Sequence, residues 1–135
     1  MIVIRRAMAV LLLAGVSVAA FAHHSFSGQF DVDKPATIAG TVSAVKWANP
    51  HASFFVNVTD ASGNVSNWRV EMGSPATLLR YHWKRDTLNV GDKVTVDGYL
   101  GRDGSNLLSA KTVTLADGTV VSAGSATYNK GTEGN

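Results

Sequence analysis

The 135-residue sequence predicts a single mostly-β domain with one short helix. Three observations carry that expectation. Five segments alternate apolar and polar side chains with the two-residue period of a half-buried strand. Clusters of Gly, Asn and Asp separate most of those segments as turns, and one stretch, Ser74 to Tyr81, has the cap and composition of a helix.

The chain opens with a basic head, Arg5 and Arg6, followed by the apolar run Ala7 to Ala20 and the small residues Ala20 and Ala22 flanking Phe21. A run this short does not span a bilayer core, so the pattern predicts a cleaved signal peptide over residues 1–22. The usual neighbours of a twin-arginine pair are missing, which points to general secretion and a periplasmic or secreted product with no membrane span after cleavage. About 110 residues then remain, enough for one compact core. Cleavage removes two of the twelve Lys and Arg residues and none of the ten acids, leaving ten against ten. A formally neutral domain gives no support to a nucleic-acid partner. With no cysteine, the exported chain has neither disulfides nor thiolate ligands.

Residues 23–36 read as an arm, because Gly28, Asp31, Asp33 and Pro35 interrupt any period while Phe26 and Phe30 serve as anchors. The domain proper is expected over residues 37–122. Thr37 to Trp47 places Ile38, Gly40 and Val42 on one face, then shifts phase so that Val45 and Trp47 share the other, the mark of a bulged and bent strand. After the turn Ala48-Asn49-Pro50-His51, the second strand alternates Phe54, Val56 and Val58 with Ser53, Phe55, Asn57 and Thr59. The loop Asp60 to Asn64 returns the chain into a third strand with Trp68, Val70 and Met72 alternating with Asn67, Arg69 and Glu71. Ser74 suits an N-cap and Pro75 the first helical position, so about two turns of helix follow. Val94, Val96, Gly98 and Leu100 make the fourth strand, and Asn106 to Leu115 the fifth, with a second phase slip between Ala110 and Val113. Asp117-Gly118 turns a short extra hairpin into Thr119 to Ser122, and residues 123–135 are expected to be a disordered tail. Three strands, a helix and two strands, with a bent first strand and a long fifth, form the element order of a five-stranded OB-like barrel.

The runs His23-His24-Ser25-Phe26, Trp47-x-Asn49-Pro50-His51, Asn67-Trp68, Gly73-Ser74-Pro75 and Gly91-Asp92-x-Val94-x-Val96-x-Gly98 together resemble a family of small exported bacterial proteins described as a domain of unknown function. The resemblance runs from His23 to about Leu115. It implies a periplasmic OB-like domain and carries no activity with it.

The chemistry therefore rests on residue types and placement. Cleavage after Ala22 starts the mature chain at His23, whose α-amino nitrogen and imidazole close a chelate on one metal ion. His51, in the loop after the first strand, supplies a third nitrogen, and such a nitrogen-rich set suits Cu(II). His24 is the local alternative. Cleavage after Ala20 instead puts His23 third from the amino terminus, where amine, two backbone amides and imidazole bind Cu(II) in a plane and His51 is dispensable. His82, between Tyr81 and Trp83 at the expected helix end, is explained by packing and the helix dipole. Trp47, Asn49, Phe55, Arg69 and Glu71 are the candidates for a non-metal groove, with Tyr99 a further stacking residue. Arg69 and Glu71 share one strand face as a charge pair, and the ligand is an oligosaccharide, a peptide or a cell-envelope protein. No Ser-His-acid set, phosphate loop or interpretable carboxylate pair stands out, so the sequence predicts a monomeric binding module with copper as its candidate cofactor and no enzymatic activity.

Overall fold

The computed structural model describes residues 26–125; the expected signal peptide, His23, His24 and residues 126–135 lie outside that range. Six strands form one sheet: β1 (Phe30–Lys46), β2 (Ser53–Thr59), β3 (Val65–Glu71), β4 (Lys93–Gly101), β5 (Leu107–Thr114) and the short β6 (Val120–Ser122). Helix α1 (Pro75–Arg80) lies between β3 and β4, and residues 26–29 make one helical turn ahead of β1. The order across the sheet is β3-β2-β1-β4-β5-β6, antiparallel throughout, and β3 also pairs in parallel with β5. The sheet therefore returns on itself. A lateral row followed from Lys46 through Ser53, Glu71, Ser109 and Tyr99 arrives back on β1 at Pro35, eleven residues upstream, which is a steep stagger.

The bend foreseen in the first strand is present and has a physical cause. The first half of β1 pairs with β4 and the second half with β2, and the ladder slips between Val42 and Ala44 so that Ser43 is the extra residue. Gly40 sits where the two halves meet: a Cβ there would lie 2.1 Å from the Asn57 carbonyl oxygen. The fifth strand has the matching device. Its register with β4 slips at Asp97/Gly98, leaving Lys111 unpaired, and a Cβ on Gly98 would lie 2.1 Å from the Ser109 carbonyl oxygen. Both close approaches demand glycine for space, independent of dihedral preference.

Inside the curved sheet, Val42, Phe54, Val56, Val70, Val96, Leu108, Ala110 and Val113 form the core with Met72, Leu78 and Trp83. Helix α1 begins as expected, with Ser74 Oγ accepting from the Thr77 amide and Pro75 in the first turn, and it buries Leu78. It ends differently. His82 adopts φ 66°, its amide donates to the Leu79 carbonyl, and the Trp83 amide donates back to the Leu78 carbonyl. This paired C-terminal closure normally takes glycine at the left-handed position. It swings Trp83 inward, where its indole Nε1 donates to the Ser122 carbonyl at 2.8 Å.

The flanks of the domain depart from expectation. Strand β1 starts at Phe30, not Thr37, because Phe30 pairs with Gly101 and the irregular stretch up to Pro35 is absorbed as a shift in register. Pro35 is tolerated there since β2 covers only the far half of β1, leaving this half an edge. The arm before it is pinned as foreseen. Phe26 and Phe30 pack with ring centroids 5.3 Å apart, and Phe30 is buried. Arg102 holds the arm through three contacts: its amide donates to the Gln29 carbonyl, its Nε to the Ser27 carbonyl, and its Nη1 lies 3.4 Å from Asp31 Oδ2. At the other end, Ala123 belongs to the core and not to a tail. It is fully buried, its amide donates to the Lys111 carbonyl, and its carbonyl accepts from Gly73.

Candidate functional site

Three polar residues are buried among the described residues: Ser53, Glu71 and Ser109. They stand side by side across three strands, since Ser53 pairs with Glu71 and Glu71 with Ser109. Their chain neighbours Phe54, Val70 and Leu108 turn into the core, so strand alternation puts the polar row on the outward side of the sheet. Burial on an outward face means that other parts of the chain cover it.

His51 provides part of that cover. It emerges from the turn after β1, where the Asn49–Pro50 peptide bond is cis, and its Nδ1 lies 2.7 Å from Glu71 Oε1. The Glu71 side chain is 11% exposed and the His51 ring 50% exposed. A carboxylate only accepts, so the Nδ1 proton is fixed toward Glu71 and the neutral ring keeps its lone pair on Nε2. This is how a carboxylate orients a histidine that ligates metal through its other nitrogen. Asn49, next to it, is exposed.

The expected Arg69–Glu71 pair does not form. The two side chains share a face but are two residues apart on one strand, about 7 Å of rise, whereas the loop brings His51 directly onto the carboxylate. Arg69 is exposed and stands opposite Phe55 on β2. From the β1 side, Lys46 Nζ lies 5.2 Å from the Phe55 ring centroid. Trp47 is turned away from this face. Its half-buried ring packs against the edge of the core with Arg85 6.0 Å above it, and its Nε1 is enclosed without a hydrogen-bond partner. Tyr99 lies on β4, with β1 between it and the β2 strand that carries Phe55, and lines a different depression of about 310 Å³ with Pro35, Thr37, Asp97 and Lys111.

The structure thus joins His51 to Glu71 and Phe55 to Arg69, and leaves Trp47 and Tyr99 outside both groupings. His23 and His24 lie outside the described residues. Among the described residues no three His, Asp or Glu side chains are placed to hold a metal ion. Lys46, Ser53, Ser109 and Arg102 escaped the sequence reading. The bulge at Ser43 decides which β1 residue meets Phe55; Ser53 meets Glu71 across the β2–β3 hairpin, and Ser109 becomes its neighbour only when β5 closes against β3.

The profile of a family of unknown function, DUF6152, matches residues 10–109. No curated protein matches the chain.

Proposed function

Since the chain belongs to the DUF6152 family of unknown function, we propose that it is an exported, periplasmic OB-like module that binds Cu(II) through His51 and the mature amino terminus at His23. The export reading rests on the basic head and apolar leader of residues 1–22. The OB-like reading is supported by the element order, the bent β1 and the parallel β3–β5 pairing.

The observation that carries the metal reading is the His51–Glu71 pair. A half-exposed imidazole whose Nδ1 is committed to a buried carboxylate offers Nε2 as a ready ligand with its tautomer already set. One imidazole does not hold Cu(II) tightly, and among the described residues no three His, Asp or Glu side chains are grouped to hold a metal ion. The reading therefore assigns the remaining nitrogens to the mature amino terminus, His23 with His24 as the alternative. Two residues after His24 in the sequence the described chain begins at Phe26, and Arg102 fixes the segment that follows it. The loop that carries Arg102 ends at Asn106, whose carbonyl accepts from the Arg69 amide, two residues from Glu71. Metal handling or sensing is the role that fits such a site in a module this small.

Titration of the exported, purified protein with Cu(II), followed by electron spin resonance, tests it. Nitrogen ligation at one equivalent is expected, with a weaker ligand field in His51→Ala. An unchanged spectrum in that variant removes His51 from the site, and no stoichiometric binding removes the metal reading. Intact mass with and without copper fixes the amino terminus at the same time.

A further inference from the structure

The outward face of β1, β2 and β3 has a chemistry that the metal reading leaves unused. Phe55 stands at its centre, half-buried on the middle strand. Lys46 approaches the ring from β1 and Arg69 stands directly across from it on β3. Both cations are exposed. Thr41 to Lys46, Ser53 to Thr59 and Val65 to Glu71 together contain one acidic residue, Glu71, and His51 already holds it. The face is therefore net cationic, with two exposed cations against one shielded carboxylate that is hydrogen-bonded to His51. Beyond Phe55 the same face continues as an amide pair. Asn67 Nδ2 donates to Asn57 Oδ1 at 2.8 Å and to Ser43 Oγ at 3.0 Å, which holds both amides in place. Asn57 Nδ2 and Asn67 Oδ1 make no bond among the described residues, so a donor and an acceptor remain side by side.

We propose that this face binds a carboxylate-bearing glycan, with Lys46 and Arg69 taking the acid group, the Phe55 ring meeting the apolar C–H face of the sugar, and Asn57 and Asn67 taking hydroxyls. Charge complementarity chooses an anionic occupant, and the fixed amide pair chooses one rich in hydroxyls. A peptide is the poorer fit, because β2 lies between β1 and β3 and its backbone groups are already used in two ladders. An acidic peptide would have charge alone to recognise it there, with no strand edge beside Phe55 to extend. The inference is independent of the copper reading, since neither His51 nor the amino terminus makes any of its ligand contacts.

Calorimetric titration of the mature protein, kept metal-free with a chelator, decides the matter with three probes: a uronic-acid oligosaccharide, its methyl ester, and an oligoglutamate of equal charge. The uronate is expected to bind with an affinity that falls as salt is raised, the ester at least 10-fold more weakly, and the oligoglutamate at least 10-fold more weakly. Arg69→Gln and Phe55→Leu should each weaken uronate binding 10-fold or more, while His51→Ala leaves it unchanged. Lys46→Glu, at an exposed position, gives the same loss without touching packing, and circular dichroism confirms that each variant is folded. The inference is overturned by equal binding of oligoglutamate, by equal binding of the ester, by no uronate binding, or by variants that bind as the wild type does. A loss of uronate binding in His51→Ala would assign the glycan to the histidine site instead.

Discussion

Removing His51 should cost more stability than a half-exposed loop residue ordinarily does, because of what it leaves behind. Its ring is 50% exposed, but the carboxylate it meets at 2.7 Å is 11% exposed and flanked in the ladder by the buried Ser53 and Ser109. An exposed ion pair contributes about 0.2–1 kcal/mol, and breaking a fully buried one costs about 3–5 kcal/mol. This pair is a hydrogen bond from a half-exposed ring to a shielded carboxylate, a class that contributes about 1.5–3 kcal/mol, so His51→Ala falls between, at about 1.5–2 kcal/mol. Glu71→Gln keeps the shape and still presents a carbonyl oxygen to Nδ1, and its own cost is about 1 kcal/mol. In that background an unpaired neutral amide is cheaper to bury than an unpaired carboxylate, so His51→Ala should cost only about 0.5–1 kcal/mol, a coupling of about 1 kcal/mol. Urea unfolding followed by tryptophan fluorescence, with chelator present so that metal plays no part, measures all four corners of the cycle. A loss below about 0.5 kcal/mol for His51→Ala, or the same loss in both backgrounds, would refute the claim that Glu71 depends on His51.

Other expectations follow from the backbone and the loops. Gly98→Ala puts a Cβ 2.1 Å from a backbone oxygen of β5, which a rotamer change cannot relieve. It should lose about 3 kcal/mol or more through overpacking and a broken ladder bond, measured by the urea midpoint; a loss under about 1 kcal/mol would mean that the strands part easily there. His82→Gly should stabilise by about 0.5–1 kcal/mol, because His82 holds φ 66° at the end of α1 and glycine reaches that conformation without strain; an unchanged or lower melting temperature would show that the His82 ring compensates for the backbone. In acid, the loop aspartates set the response. Asp60 is held below its ordinary value of 3.8 chiefly by the Asn64 amide, Asp103 by the Ser105 hydroxyl and Asp117 by the Thr119 amide. A depressed folded-state pKa stabilises above the unfolded value and is lost as pH falls through the folded one, so melting temperature should decline as pH drops below about 4. Asp60→Asn should flatten that decline, and a parallel curve would remove Asp60 from it.

How much of this was legible in the sequence depended on whether the signal was local. Val42 to Val45 and Ala110 to Val113 show their phase slips in the sequence because a bulge breaks a two-residue period in place, and both slips are in the ladders. Ser74-Pro75 announced the start of α1, whereas its end was opaque: nothing in Tyr81-His82-Trp83 signals a left-handed histidine, whose conformation is imposed by burying Trp83 against Ser122. Composition assigns the stretch from Phe30 to an arm because Asp31, Asp33 and Pro35 are poor strand formers in isolation. Pairing with the end of β4 overrode propensity there. A lone alanine carries no period, so Ala123 reads as tail, and only its backbone bonds to Lys111 and Gly73 bring it into the core.

By itself the sequence determined the mostly-β class, the order of the strands and helix, the two bends and the residue types available for binding. Each of these is written in periodicity, turn chemistry or composition over a few neighbouring residues. Tertiary structure decided who meets whom. Glu71 went to His51 and not to Arg69, Phe55 came to lie between Lys46 and Arg69, and Trp47 was taken into the edge of the core. The physical reason is register: a one-residue bulge at Ser43 and the parallel closure of β3 on β5 shift every cross-strand neighbour, and neither amount of shift is encoded within any single strand.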